Sequence, residues 1–162
     1  SILRQGIVDP EVSVEYDLVS DALTVSVVID VSPAPQLDTT GLPAGMVAMA
    51  SENLYQQEFS ARMREIMSAH HGAQLVQESD YTLPQRANPF PGKMAVFEYE
   101  DVFLRQRQQL RSHLYFFCFA GGDWAIKYQF TYPKNLYAQP DIDSFLMNLP
   151  WTMNKPQPPK PH

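Results

Sequence analysis

The chain predicts an α+β domain, an antiparallel sheet packed against one long helix, on three observations. Trp124, Ile126, Tyr128, Phe130 and Tyr132 occupy every other position, with Ala125, Lys127, Gln129 and Thr131 between them, the period-two pattern of a strand with one buried face. Tyr55, Phe59, Met63, Ile66, Met67 and His70 fall on one stripe at helical spacing. The 162 residues, 44% hydrophobic and 12% aromatic, suffice for a single domain with an aromatic-rich core, burying about two thirds of the unfolded surface.

Val12, Val14, Tyr16 and Leu18 alternate, as do Leu23, Val25, Val27 and Ile29, with Ser20-Asp21 as turn chemistry, which predicts an N-terminal hairpin. Residues 32–45 carry Pro33, Pro35 and Pro43 with Gly41 and Gly45, a composition for a long irregular loop. Ser51 offers an N-cap and Glu52 suits the positive end of a helix over 52–71, which Gly72 stops. A short strand follows over 74–83, and Pro84, Pro89 and Pro91 then break 81–93 into a rigid loop. From Met94 onward Ala95, Phe97 and Tyr99 face one side, and Val96, Glu98 and Glu100 the other.

The next strand, over 110–120, is apolar on both faces towards its end (Tyr115, Phe116, Phe117, Cys118, Phe119), which places it centrally with cover on both sides. Gly121-Gly122-Asp123 turns the chain into the aromatic strand and completes a C-terminal meander. A short helix begins near Pro140, with Asp141 and Asp143 at its positive end and Ile142, Phe145, Leu146 and Leu149 on its buried side. The domain spans 1–154, and 155–162, with Pro156, Pro158, Pro159 and Pro161, forms a proline-rich disordered tail.

A net charge of -6 with only 12 Lys and Arg argues against nucleic-acid binding, which needs clustered cations to neutralise phosphates. An acidic surface steers a basic protein partner, and it also serves solubility alone. No apolar run reaches the ~18 residues of a membrane span. Cys118 is the single cysteine, so no intramolecular disulfide forms, and its apolar strand raises the thiol's pKa and makes it structural. The chain opens at Ser1 rather than Met, which fits a trimmed protein or one that has lost a signal sequence.

No catalytic constellation emerges, and neither a cofactor nor a metal site is expected. Adjacent helical residues His70 and His71 point about 100° apart, poor geometry for one metal ion. His113 shares a strand face with Tyr115 and Phe117 and is placed to meet Glu98 or Glu100 across the hairpin as an ordinary cross-strand pair. Ser20, Ser51 and Ser112 lack the Gly-x-Ser-x-Gly context of a hydrolase elbow, and Gly121-Gly122 lacks the helix and lysine of a phosphate loop.

Two surfaces are candidates for protein contact. Arg105, Arg107 and Arg111 share parity and form either a guanidinium row on one face or a solvated hairpin end paired with its own acidic neighbours. Phe90, between Pro89 and Pro91, is either held out to a partner at little entropic cost or tucked onto the sheet.

The order hairpin, long loop, long helix, three-stranded meander, short closing helix resembles the Mog1/PsbP-like superfamily, including the bacterial DcrB-like proteins, over about residues 12–151. The strand Trp124-Ala125-Ile126-Lys127-Tyr128-Gln129-Phe130-Thr131 and the helix over 142–151 carry the likeness, while 32–45 and 98–111 depart from it. The resemblance implies a non-catalytic binding, adaptor or assembly role, in the bacterial envelope or beside a secretion system, and transfers no functional residue. The expectation is therefore a protein-binding accessory protein, periplasmic or envelope-associated, with a cytoplasmic location as the alternative. Its most concrete form is an immunity or adaptor protein whose partner is a basic effector or toxin. The alternative function is a carrier of a small apolar ligand in a cavity of about 300 Å³ or more between sheet and helix. An enzyme built on Glu98, His113 and the arginines ranks last.

Overall fold

The computed structural model describes residues 12–20, 23–82, 91–118 and 124–148. The elements run β1 (Val12–Ser20), β2 (Leu23–Pro33), α1 (Ala44–Ala69), β3 (Gln74–Thr82), β4 (Pro91–Phe103), β5 (Gln106–Cys118), β6 (Trp124–Pro133) and α2 (Gln139–Met147). The fold is the α+β arrangement that the alternating patterns predict. The six strands among the described residues join one sheet in the order β1-β2-β6-β5-β4-β3, each neighbour antiparallel. The N-terminal hairpin and the C-terminal meander therefore share a sheet, through a β2–β6 ladder that sets Val27 beside Phe130 and Ile29 beside Tyr128.

Strand alternation divides the side chains between two cores. On one face Phe97, Leu114 and Phe116 pack with Phe59 and Ile66 of α1. On the other, Val27, Tyr115, Phe117 and Phe130 pack with Ile142 and Leu146 of α2. Between Ser112 and Phe117 β5 is buried throughout, the two-sided cover that its apolar run implies. Each fully buried phenylalanine contributes roughly 1.5–3 kcal/mol relative to exposure.

Helix α1 begins at Ala44 rather than at 52, so the preceding loop is shorter than its composition predicts. The Ala44-Gly45-Met46-Val47-Ala48-Met49-Ala50 segment is rich in alanine and methionine, which lose little side-chain entropy in a helix. Pro43, extended at φ -60 and ψ 149, is the N-cap, and its carbonyl accepts from the Met46 and Val47 amides at 3.0 and 3.1 Å. Ser51 consequently lies inside the helix. These first turns are largely exposed, with Met46 and Met49 at 54% and 69%. Gly72, at φ 77, turns the chain into β3 after the helix ends.

The charged stretch 98–111 continues the hairpin, so β5 begins at Gln106 rather than at 110 and pairs with β4 as far as Phe103 opposite Gln106. Glu98 lies directly opposite Arg111, so the opposite charges support the ladder. The Gly121-Gly122-Asp123 turn, the loop tip around Phe90 and the proline-rich tail 155–162 lie outside the described residues.

Gly92 occupies the β4 position across from Phe117, and a Cβ added there would press into that ring, with Cδ1 at 2.7 Å. Gly92→Ala is expected to lower the unfolding free energy in urea by about 1–3 kcal/mol through overpacking. Gly45→Ala, at a helical position with nothing within 4 Å, is expected to raise it by up to about 1 kcal/mol.

Candidate functional site

Pairing of β3 with β4 starts at Gln74 opposite Glu98, and pairing of β5 with β6 stops at Leu110 opposite Pro133. Beyond those points β4 and β5 pair only with each other and form an arm that overhangs the sheet. Its base is fixed. His70 stacks on Tyr99 with ring centroids 3.8 Å apart, and its Nδ1 lies 2.9 Å from Asp101 Oδ2. The Asp101 carboxylate also accepts the Val102 amide at 2.7 Å, and this bond, followed by the one to His70, holds its pKa below the usual range. Phe103 and Leu110 are buried at the root, and Gln108 Nε2 donates to the Phe103 carbonyl at 3.0 Å.

The tip is a two-residue turn in which Leu104 and Arg105 both adopt left-handed backbone, φ 52 and 67. Such turns match the twist of a hairpin, but their residue preference is Asn-Gly, because a Cβ is disfavoured there. Leu104 is 62% and Val102 59% exposed. The arm thus ends in two apolar side chains and Arg105.

The three arginines are not equivalent. Arg105 sits in the turn; Arg107 donates from Nε to Glu100 Oε1; Arg111 donates from Nε and Nη2 to Glu98 Oε2 at 3.1 and 2.6 Å. Lys134 Nζ approaches the other Glu98 oxygen at 3.2 Å. Arg111 first, then Lys134, holds the Glu98 carboxyl below its ordinary pKa. Arg107 and Arg111 are therefore drawn to carboxylates of their own hairpin, and Arg105 alone of the three stands at the tip. Phe90 lies outside the described residues.

His113 does not meet Glu98 or Glu100. Its register partners are Val96 and Phe130, and Arg111 intervenes and takes Glu98. The imidazole is buried on the α2 side, Nδ1 3.2 Å from Tyr115 Oη and Nε2 2.8 Å from Tyr132 Oη. Gln139 Nε2 donates to Tyr115 Oη at 3.3 Å and to Asp143 Oδ1 at 2.8 Å. Burial, then the Arg111 charge, pushes the His113 pKa down to about 4, so the ring is neutral at pH 7. Tyr81, whose ring packs edge-on to Tyr115, buries an Oη that has no hydrogen-bond partner among the described residues, and burial pushes that phenol up to about 12. This cluster is a core polar network; the described groups place no carboxylate against the imidazole to make an acid–base pair.

A buried cation was not anticipated. Lys93 shares strand parity with Ala95 and Phe97, a lysine on an apolar face, and that parity was the available signal. Its ammonium lies 2.9 Å from Glu52 Oε1, 3.3 Å from Asp80 Oδ1 and 5.0 Å from the centre of the Tyr55 ring. Burial works against the charge, but the hydrogen bonds that the ammonium donates to Glu52 and Asp80 outweigh it and raise the pKa, so Lys93 is an ammonium rather than a nucleophilic amine. Above it lies a cleft of about 230 Å³ lined by Gln56, Phe59, Glu78, Ser79, Asp80 and Lys93. Cys118 is half-buried, and burial raises its thiol pKa, as its apolar strand implies.

Among the described residues no group of three or more His, Cys, Asp or Glu side chains is placed to hold a metal ion, and no helix is long and apolar enough to cross a membrane. No protein-family model matches the chain, and no curated protein matches it.

As pH falls, the unfolded chain takes up the His113 proton near 6.5 and the folded one only near 4. The stability that neutral His113 contributes is complete above the unfolded pKa and is lost on descending through this window, about 3 kcal/mol in all. Urea titrations should show a stability loss between pH 7 and pH 4 that is smaller in His113→Gln than in wild type by about that amount. A folded-state His113 pKa near 6.5 by NMR would contradict the assignment.

Proposed function

We propose that this protein is a non-catalytic, protein-binding accessory protein whose recognition surface is the tip of the β4–β5 arm. The carrying observation is the pair of non-glycine residues in left-handed backbone at Leu104 and Arg105, beside exposed Val102. That arrangement costs stability and buries nothing in return, and strain of this kind at an exposed apolar tip points to recognition. The fixed base supplies preorganisation: with Tyr99, Asp101 and Phe103 already held, a partner orders little on binding.

The role we assign is that of an adaptor or immunity protein of the bacterial envelope or a secretion system, acting in the periplasm. Its support is the element order, with a helix on each face of one antiparallel sheet, and the net charge of -6 favours a basic effector or toxin as partner. The apolar-ligand carrier has thinner support. Phe59, Phe97, Leu114 and Phe116 fill the space between α1 and the sheet; the cleft lined by Lys93 is polar and holds about 230 Å³, and the cleft of about 410 Å³ lined by Gln108, Gln109, Lys134 and Asn135 takes no lining residue from α1.

Leu104→Asn/Arg105→Gly relieves the turn and removes its side chains together. It is expected to raise the unfolding free energy by about 1–2 kcal/mol while abolishing capture of the partner from extracts of the source cells. Because the variant is the more stable protein, lost capture cannot be ascribed to unfolding. Capture of the same proteins by both forms would remove the arm as the recognition surface.

A further inference from the structure

Among the described residues strand β3 is the end of the sheet, and every residue from Gln74 to Asp80 is exposed. Alternate residues of an antiparallel edge turn their amides and carbonyls outward. No backbone hydrogen bond among the described residues reaches that side of β3 from outside the sheet. The ladder with β4 is interrupted by a bulge between Leu75 and Gln77, which leaves Gln77 to Thr82 as a regular stretch.

The side chains of that stretch are of two kinds. Glu78 and Asp80 lie opposite Ala95 and Lys93 and so face the α1 side, where Glu52 adds a third carboxylate. Lys93 ties Glu52 and Asp80 to one ammonium, yet their side chains are 62% and 90% exposed, so the cation fixes the carboxylates without covering them. Three carboxylates against one ammonium leave the rim acidic. The other parity, Gln77, Ser79 and Tyr81, is uncharged and ends in an aromatic ring that packs edge-on to Tyr115 and Phe117.

We infer that the β3 edge from Gln77 to Thr82 is a docking site for an extended basic segment of a protein partner, which adds to the sheet as a further strand. Lysine or arginine at alternate positions of that segment meets Glu78, Asp80 and Glu52, and the residues between them meet Ser79 and Tyr81. A second copy of this chain is the wrong occupant: antiparallel pairing of two β3 edges about Ser79 sets the Glu78 of each copy against the Asp80 of the other, and like charges across a ladder repel. The surface is separate from the hairpin tip, and neither inference depends on the other.

The test is fluorescence anisotropy with a labelled hexapeptide alternating lysine and valine, on the full chain at low salt. Saturable binding is expected, weakened about tenfold by Glu78→Gln/Asp80→Asn, abolished by N-methylation of alternate peptide amides, and unchanged by Leu104→Asn/Arg105→Gly. Absence of saturable binding overturns the inference. So does equal affinity for the N-methylated peptide, which would reduce the contact to charge alone, or for a glutamate–valine peptide, which would remove charge selection. A concentration-dependent dimer that Glu78→Lys substitution tightens would hand the edge to a second copy and overturn the choice of partner.

Discussion

Burial of β5 on both faces is the constraint from which the rest of the architecture follows. A strand that carries Leu114 and Phe116 on one side and Tyr115 and Phe117 on the other leaves a large apolar area in water unless both sides are covered. The cover must come from two helices on opposite faces, and from neighbours on both edges that satisfy the backbone. α1 and α2 supply the first, β4 and β6 the second. Because β6 is then flanked by β5 on one side only, β2 closes its other edge and brings the N-terminal hairpin into the sheet.

His113, Ser112 and Lys93 enter this core with partners. His113 is held neutral between two tyrosine hydroxyls, and Ser112, on the opposite face, meets Thr131 at 3.1 Å. Lys93 keeps its charge because two carboxylates from different elements converge on it, one from α1 and one from β3. That convergence ties the middle of α1 to the sheet edge, and breaking it by removing one partner strands a buried ammonium, a costlier event than losing a surface pair.

Order is distributed unevenly, and the unevenness bears on function. The interior is saturated with aromatic contacts, whereas the arm tip and the β3 edge carry exposed apolar, strained or charged groups. Both surfaces rest on rigid strands, so a partner meets preformed geometry rather than a segment that must be ordered. Their chemistry differs: the tip offers Val102, Leu104 and Arg105, the edge offers backbone and carboxylates. The two surfaces are thereby able to engage different parts of a partner.

Local pattern was enough to read the α+β class, the stripe of α1, the alternation of β2, β4 and β6 and the two-sided burial of β5, because each is a periodicity set by backbone geometry and solvent. The start of α1 was missed because Ala44 to Ala50 is helical by propensity without an apolar stripe, and the start of β5 because Gln106 to Gln109 carries no apolar alternation and becomes strand only by pairing with β4. The arginine cluster was visible as composition, but whether each guanidinium is free depends on carboxylates contributed by the partner strand. Residue identities by themselves determined which side chains must be buried and with what period. The tertiary structure decided the β2–β6 closure, the left-handed turn at Leu104-Arg105 and the meeting of Lys93 with Glu52 and Asp80, because each depends on chain segments distant in sequence or on a register that no local pattern encodes.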